Sequence, residues 1–371
     1  MLEKMWYKLA RVIIKSGKLP IPVADTLCDL LKLIITEEQA EFIIKVFKSK
    51  PSLNMEEIKA ISDLDDVSIK NTLDDLMNNG IISGTKSKST GILVYRLMPP
   101  FPGIFERQFM RGEIGEKQKK LALIFDTLFS DWSSGIQKNY DSMLKEFKNS
   151  PPINKVVPVQ EEIGVGNEVV LPSMDVRKII NKHEDIALTH CYCRHEKKLL
   201  GDPCKLNAPI QTCLLFGKNA QFSIEYGFAK PIKKEEALEV LSKAEEYGLV
   251  HKAFHILQDP ERDEEAICNC CKCCCGVFQL HYRGVAPIHT ITSYKAIVNK
   301  EECIGCETCV EKCPMEAIEL IDNIAEINED KCIGCGVCSH FCPQNALKLE
   351  NTGSRNVFVP PPILESPIKN L

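Results

Sequence analysis

One cysteine spacing occurs twice near the C-terminus, between Cys303 and Pro343. The first copy reads C-I-G-C-E-T-C-V-E-K-C-P from Cys303 to Pro314, the second C-I-G-C-G-V-C-S-H-F-C-P from Cys332 to Pro343. Each is C-x2-C-x2-C-x3-C-P, and the offset of about 29 residues marks an internal duplication. Three closely spaced thiolates can wrap one face of an iron–sulfur cubane. A fourth, placed before a proline, projects away and ligates the neighbouring one. The spacing assigns one [4Fe–4S] cluster to Cys303, Cys306, Cys309 and Cys342, and a second to Cys332, Cys335, Cys338 and Cys313. Zinc sites seldom take this doubled, proline-terminated form.

The remaining composition bounds the context. A chain of 371 residues has room for two or three domains, and its 44% hydrophobic and 26% charged residues are those of a soluble globular protein. No apolar run approaches the ~20 residues that span a bilayer, and Met1–Pro20 lacks a secretory h-region and cleavage site. Nineteen cysteines clustered at ligand spacings point to metal in a reducing cytosol rather than to disulfides, so the expected location is cytoplasmic, without membrane insertion. Cys28, alone in an apolar N-terminal stretch, reads as a core residue. A net charge of −5 argues against a strongly basic nucleic-acid surface.

Residues 1–100 read as helices ending in a β-ribbon. Thr36 with Gln39 and Asn54 with Glu57 are capping boxes, Asp66 is expected to cap a third helix, and Gly80 to stop it. Ile81–Ile82 and Ile92–Tyr95 flank a polar turn, which suggests a hairpin. Three helices and a hairpin resemble a winged helix–turn–helix domain. Against DNA reading, the third helix carries Asp74 and Asp75 beside Lys70 and Asn71, and residues 1–100 hold 14 basic and 13 acidic side chains. Only Lys86 and Lys88 make the ribbon basic. Pro99-Pro100-Phe101-Pro102-Gly103 marks a stiff exit. A helical linker region is expected over 101–160, with strands at Val156–Val159 and Val169–Leu171 and a helix over Met174–Lys182.

The central region, 161–292, holds ten more cysteines. Cys191 and Cys193 in H-C-Y-C-R would face one side of a strand, and with Cys204 and Cys213 they suffice for one further [4Fe–4S] cluster or one tetrahedral zinc. Arg194 is placed to hydrogen-bond sulfur, whereas His190 and His195 read as neighbours rather than ligands. The run I-C-N-C-C-K-C-C-C-G supplies Cys268, Cys270, Cys271, Cys273, Cys274 and Cys275. Adjacent cysteines point apart, so these six cannot all approach one metal from one side. A subset would hold a fourth cluster, or the ten would share one larger, unusual cluster. Between the two groups, Lys234–Tyr247 reads as a supporting helix and Leu249–His251 as a strand.

About residues 295–350 resemble the bacterial 2[4Fe–4S] ferredoxins, with both motifs intact. The resemblance implies one-electron transfer between two nearby low-potential clusters. More loosely, the cysteine-rich centre and the C-terminal end together look like larger ferredoxin-domain oxidoreductases of anaerobic metabolism. Gly305 and Gly334 would let backbone N–H groups reach inorganic sulfur, and Ile304 and Ile333 would cover the clusters. Glu301, Glu302, Glu307 and Glu311 around the first loop predict the lower potential there. An extended, Pro-containing tail is expected over 351–371, lying against a partner or the chain's own surface.

The expected architecture is thus α+β and multidomain: winged-helix-like (1–100), linker (101–160), central cysteine-rich α/β (161–292), ferredoxin-like dicluster (293–350) and tail. The leading functional expectation is an electron-transfer protein or oxidoreductase subunit serving a redox partner protein or complex. The alternative is a redox-sensing transcription regulator with DNA as partner. A third reading makes the central cysteines an active site. No nucleotide-binding glycine fingerprint, P-loop or Ser/His/Asp triad is present, so no catalytic residue is assigned.

Overall fold

The computed structural model describes residues 2–87, 89–152, 154–159, 176–255 and 263–365. The expected strand at Val169–Leu171, the Met174 start of the next helix and Lys88 of the ribbon lie outside the described residues.

Amphipathic helices Leu2–Lys15, Asp25–Ile34 and Glu37–Phe47 open the chain, burying Leu9, Ile13, Leu27 and Leu31. Strand β1 (Ser52–Asn54), helices Met55–Ile61 and Asp66–Asn78, and the ribbon β2 (Ile82–Lys86) with β3 (Leu93–Leu97) follow. The ribbon and β1 make a three-stranded sheet of order β1-β3-β2. Both capping boxes form, at Thr36/Gln39 and Asn54/Glu57. The third helix is capped one residue earlier than expected, because Asp65 accepts from the Val67 and Ser68 N–H groups.

Helices Phe105–Phe109, Glu116–Lys138 and Tyr140–Asn149 follow, tightly packed. Phe101, Phe105, Phe109, Phe125 and Phe129 interlock, with Phe105 and Phe125 edge-on at 5.0 Å and Phe105 edge-on to Tyr192 at 6.0 Å. Asp126 fixes helix Glu116–Lys138 to the central region through Lys197 (3.1 Å) and Arg283 (2.5 Å).

An eight-stranded sheet forms the body. Its strands are β4 (Asn154–Val157), β5 (Ile186–His190), β6 (Gln211–Phe216), β7 (Lys230–Pro231), β8 (Val250–His255), β9 (Glu264–Cys270), β10 (Ile288–Val298) and, beyond the small hairpin β11 (Ile318–Ile321) and β12 (Ile324–Ile327), β13 (Leu347–Val359). The order is β13-β10-β4-β8-β9-β6-β5-β7, antiparallel except for β4 beside β10. Period-two alternation divides the two faces. Leu214, Phe216 and Ile267 pack with helices Val176–Lys182 and Lys234–Glu246 on one face, while Cys213, Leu215, Cys268 and Cys270 line a cavity on the other.

The expected edges of the C-terminal unit fall inside strands. β10 runs through 292–293 and β13 through 350–351, paired from Ile288↔Val359 to Val298↔Leu347. The segment expected to begin the tail is therefore strand as far as Val359, held by buried Val357 and Val359. Residues 360–365 lie on the chain's own surface, where Tyr140 donates to Pro361 O (2.5 Å) and Gln137 to Pro362 O (3.1 Å).

Candidate metal centres and the cavity they face

The C-terminal repeat brings its eight thiols together as two sets. Cys303, Cys306, Cys309 and Cys342 bound one small cavity with Ile304 and Leu347. Cys313 lies with Cys332, Cys335 and Cys338, close enough for their charges to interact. Each copy thus sends its fourth cysteine to the other set. The loops are pseudo-symmetric down to their left-handed positions, with Gly305 matched by Gly334 and Glu307 by Gly336. Backbone N–H groups of Ala325, Ala317 and Ala296 point at Cys303, Cys313 and Cys332 Sγ at 3.4, 3.3 and 3.5 Å. An all-thiolate donor set with N–H groups aimed at sulfur fits an iron–sulfur cluster.

The two glycines have a further reason to be glycine, and one expectation, that Ile304 is a cover, changes. Gly305 and Gly334 are required by close-packed backbone: an added Cβ would stand 2.5 Å from Asn323 O at Gly305, and at Gly334 would overlap the Tyr294 carbonyl. Ile333 is buried at 2% exposure, but Ile304 is 62% exposed. Cys306 is exposed as well, whereas Cys332, Cys335 and Cys338 are buried. The two sites are therefore unequal, the first opening to the surface and the second enclosed. The enclosed one abuts the central cysteines: Tyr282 donates to Pro314 O at 2.6 Å, and Lys272 pairs with Glu316 at 2.6 Å.

The ten central thiols divide six and four, not as sequence spacing suggested. Cys204 leaves Cys191, Cys193 and Cys213 and joins Cys271, Cys273 and Cys274, the four Sγ atoms lying within 4.8 Å of one another. The other six neighbour one another in a row, Cys268–Cys213–Cys191–Cys193–Cys275–Cys270, close enough for each thiol to perturb the next. The physical reason is the register. Cys268 and Cys270 share a side of β9, the turn after it throws Cys271, Cys273 and Cys274 to the other side, and Cys275 returns as the residue preceding helix Gly276–Tyr282. Cys191 and Cys193 are not on a strand: Cys191 ends the run from β5 and caps helix Tyr192–Leu199, whose first turn holds Cys193.

The neighbouring thiols of Cys193 and Cys213 hold the Cys191 thiol well below its ordinary range, and those of Cys193 and Cys270 do the same for Cys275. Tyr192 Oη lies 3.2 Å from Cys268 Sγ, and the Gly276 N–H donates to Cys193 Sγ at 3.1 Å. Lys252 is buried over the Phe278 ring (3.6 Å), its Nζ has no hydrogen-bond partner among the described residues, and its charge acts on Cys270 and Cys275. A buried cation facing sulfur suits an anionic thiolate-ligated centre, which supplies the missing counter-charge. Arg194 spans both groups, donating to Asn269 O (3.0 Å) and reaching Cys271 Sγ (3.9 Å). His190 and His195 are engaged elsewhere, on the carbonyl oxygens of Met110 (3.1 Å) and Glu113 (2.7 Å).

All six row cysteines line a cavity of about 960 Å³, at the upper end for small-molecule sites. Its far wall comes from the N-terminal ribbon, the following loop and the helix Phe105–Phe109, including Thr85, Arg96 and Arg107. Sequence reading missed this cavity. Its walls are some hundred residues apart in the chain, and long-range packing brings them together, through the Phe101–Phe129 cluster and through contacts such as Lys218 on Lys86 O.

Residues 296–349 match the family model described as a 4Fe-4S dicluster domain. No curated protein and no solved structure matches the chain. Among the described residues no helix is long and apolar enough to cross a membrane. The C-terminal segment is a 4Fe–4S dicluster domain, with the electron-transfer capacity such a domain implies.

Proposed function

We propose that this chain is an iron–sulfur electron-transfer protein that meets a redox partner at its exposed Cys303 end and a small-molecule acceptor or donor at the six-thiol wall. When bound, the clusters supply one-electron transfer at potentials set by charge, sulfur hydrogen bonds and exposure. Carrying this reading is the position of the enclosed thiol set: Pro314 and Glu316 beside it are bonded to Tyr282 and Lys272 of the central cysteine segment. The chain's own residues do the positioning. Lys252 and Arg194 set positive charge behind the wall, Tyr192 holds Cys268, and the Phe101–Phe129 cluster supports the helix from which Cys193 and Tyr192 project.

The winged-helix resemblance is proposed as a docking and wall-forming role rather than DNA reading. Tyr226 donates to Asp74 on the third helix (3.0 Å), Arg111 holds Asn78 O at its C-terminal end (2.8 Å), and Lys218 bonds Lys86 O of the ribbon. These contacts engage the surfaces that would otherwise reach DNA.

The test is anaerobic isolation of the full chain with iron counted per chain, beside Cys213→Ser. More than eight irons, falling toward eight in the variant, is expected, and cyanide should change the EPR spectrum of the native protein but not of the variant. Eight irons in both would refute a redox centre at the wall.

A further inference from the structure

The four-thiol group has a geometry the other cysteines lack. Cys204 Sγ lies 3.7 Å from Cys271 Sγ and 3.8 Å from Cys273 Sγ, and Cys273 lies 3.7 Å from Cys274. A zinc–thiolate bond of about 2.3 Å generates a tetrahedron with edges of about 3.8 Å, roughly 1.63 times the bond. A disulfide would bring two sulfurs to about 2.0 Å. In a cubane each thiolate binds a different iron and the cluster core separates the ligands, so four cubane ligands do not touch one another. The chain carries its own comparison: among the described residues, no three thiols of the dicluster domain or of the six-thiol row lie within 4.8 Å of one another, whereas these four do.

We propose that Cys204, Cys271, Cys273 and Cys274 hold a single tetrahedral zinc(II) ion, a structural site separate from the iron–sulfur centres. It goes beyond the electron-transfer reading and stands without it. Four protein thiolates leave no open position, the mark of a structural rather than catalytic zinc. Their net negative charge is offset by Arg194 at Cys271 and by N–H groups of Ala208 on Cys204 and Lys205 on Cys273. Cys204 lies in the loop between helix Tyr192–Leu199 and β6, and the other three in the turn after β9. The ion therefore clips two loops together directly behind the wall and fixes Cys270 and Cys275, which flank the turn.

The experiment compares the full-length protein with Cys204→Ser/Cys273→Ser, Cys213→Ser and Cys204→His. All are produced with both iron and zinc supplied, isolated anaerobically, and analysed for both metals per chain. About one zinc is expected in the native protein, in Cys213→Ser and in Cys204→His, which keeps four ligands. Near-zero zinc with unchanged iron is expected in the double variant. Cobalt(II) offered in place of zinc should give tetrahedral thiolate absorption bands in Cys204→His that the double variant, or Cys273→Ser alone if the double variant does not fold, lacks. Iron falling by about four in the double variant while zinc stays constant would overturn the proposal in favour of a cubane. Loss of a mononuclear ferric EPR signal would overturn it in favour of iron, and retention of zinc would place that ion elsewhere. None of these results depends on the iron count of Cys213→Ser, so the two readings fail separately.

Discussion

Replacing Gly334 by alanine tests how the enclosed cluster loop is held. The residue has φ +64°, and an added Cβ would overlap the Tyr294 carbonyl oxygen while standing 2.6 Å from its carbon and 2.8 Å from Thr292 Oγ1. Two costs combine. The left-handed backbone disfavours a side chain by about 1–2 kcal/mol, and forced overpacking against main chain adds about 1–3 kcal/mol. Because the obstacle is backbone of β10, which cannot rotate away, the upper part of the combined range applies, about 3–5 kcal/mol. Gly353 is the control: its φ is +70° but nothing lies within 4 Å of its would-be Cβ. Gly353→Ala should cost only the backbone share, about 1–2 kcal/mol. Anaerobic urea unfolding gives the difference, and iron release under the same conditions shows whether the loop opens first. Equal midpoints for the two variants would refute the argument that strand backbone, rather than φ alone, demands glycine at 334.

Other outcomes follow from the same structure. The carboxylates around the first loop would lower its potential, but exposed charges are strongly screened, worth up to about 1 kcal/mol, whereas burial acts on the whole Cys332 set. The enclosed centre should therefore have the lower potential, and redox-poised EPR of single-cluster variants giving the opposite order would return the decision to the carboxylates. Burial pushes the Glu106 carboxyl up to about 7 against the pull of the Gly103 N–H. The folded state then holds that proton more tightly than the unfolded chain. Its contribution to stability is full below the ordinary carboxyl value of 4.5 and is lost as pH rises through about 7. Glu106→Gln should flatten the urea midpoint across that window, and an unchanged slope would show that another group is responsible. Neither oxidised nor reduced holoprotein should bind duplex DNA with a steep salt dependence, and a log–log slope of several phosphates would revive the regulatory alternative.

The legibility of this chain was uneven for physical reasons. A cubane demands fixed local spacing, so the pairing of Cys303, Cys306 and Cys309 with Cys342 could be read without coordinates. Capping boxes are equally local, as Thr36 and Asn54 show. The partition of the central cysteines is not local. Where Cys204 goes depends on how the loop after residue 199 folds back on the turn after Cys270. The rule that adjacent cysteines point apart limited the choices without selecting one. Ile304 and Ile333 occupy equivalent positions in the repeat, yet one is exposed and the other buried. Burial there comes from the neighbouring sheet, which the duplication does not encode. The cavity was invisible for the same reason.

The ladder between β10 and β13 runs from the dicluster domain into the body of the sheet, with one register shift between Thr292 and Tyr294. Tethered carrier domains work by searching, their delivery rate set by linker length and effective concentration. Here there is no tether to lengthen: the separation between the surface-facing thiols and the cavity is built into one β-sheet. Internal transfer should be insensitive to solvent viscosity, leaving diffusion of the external partner as the only step that viscogens slow.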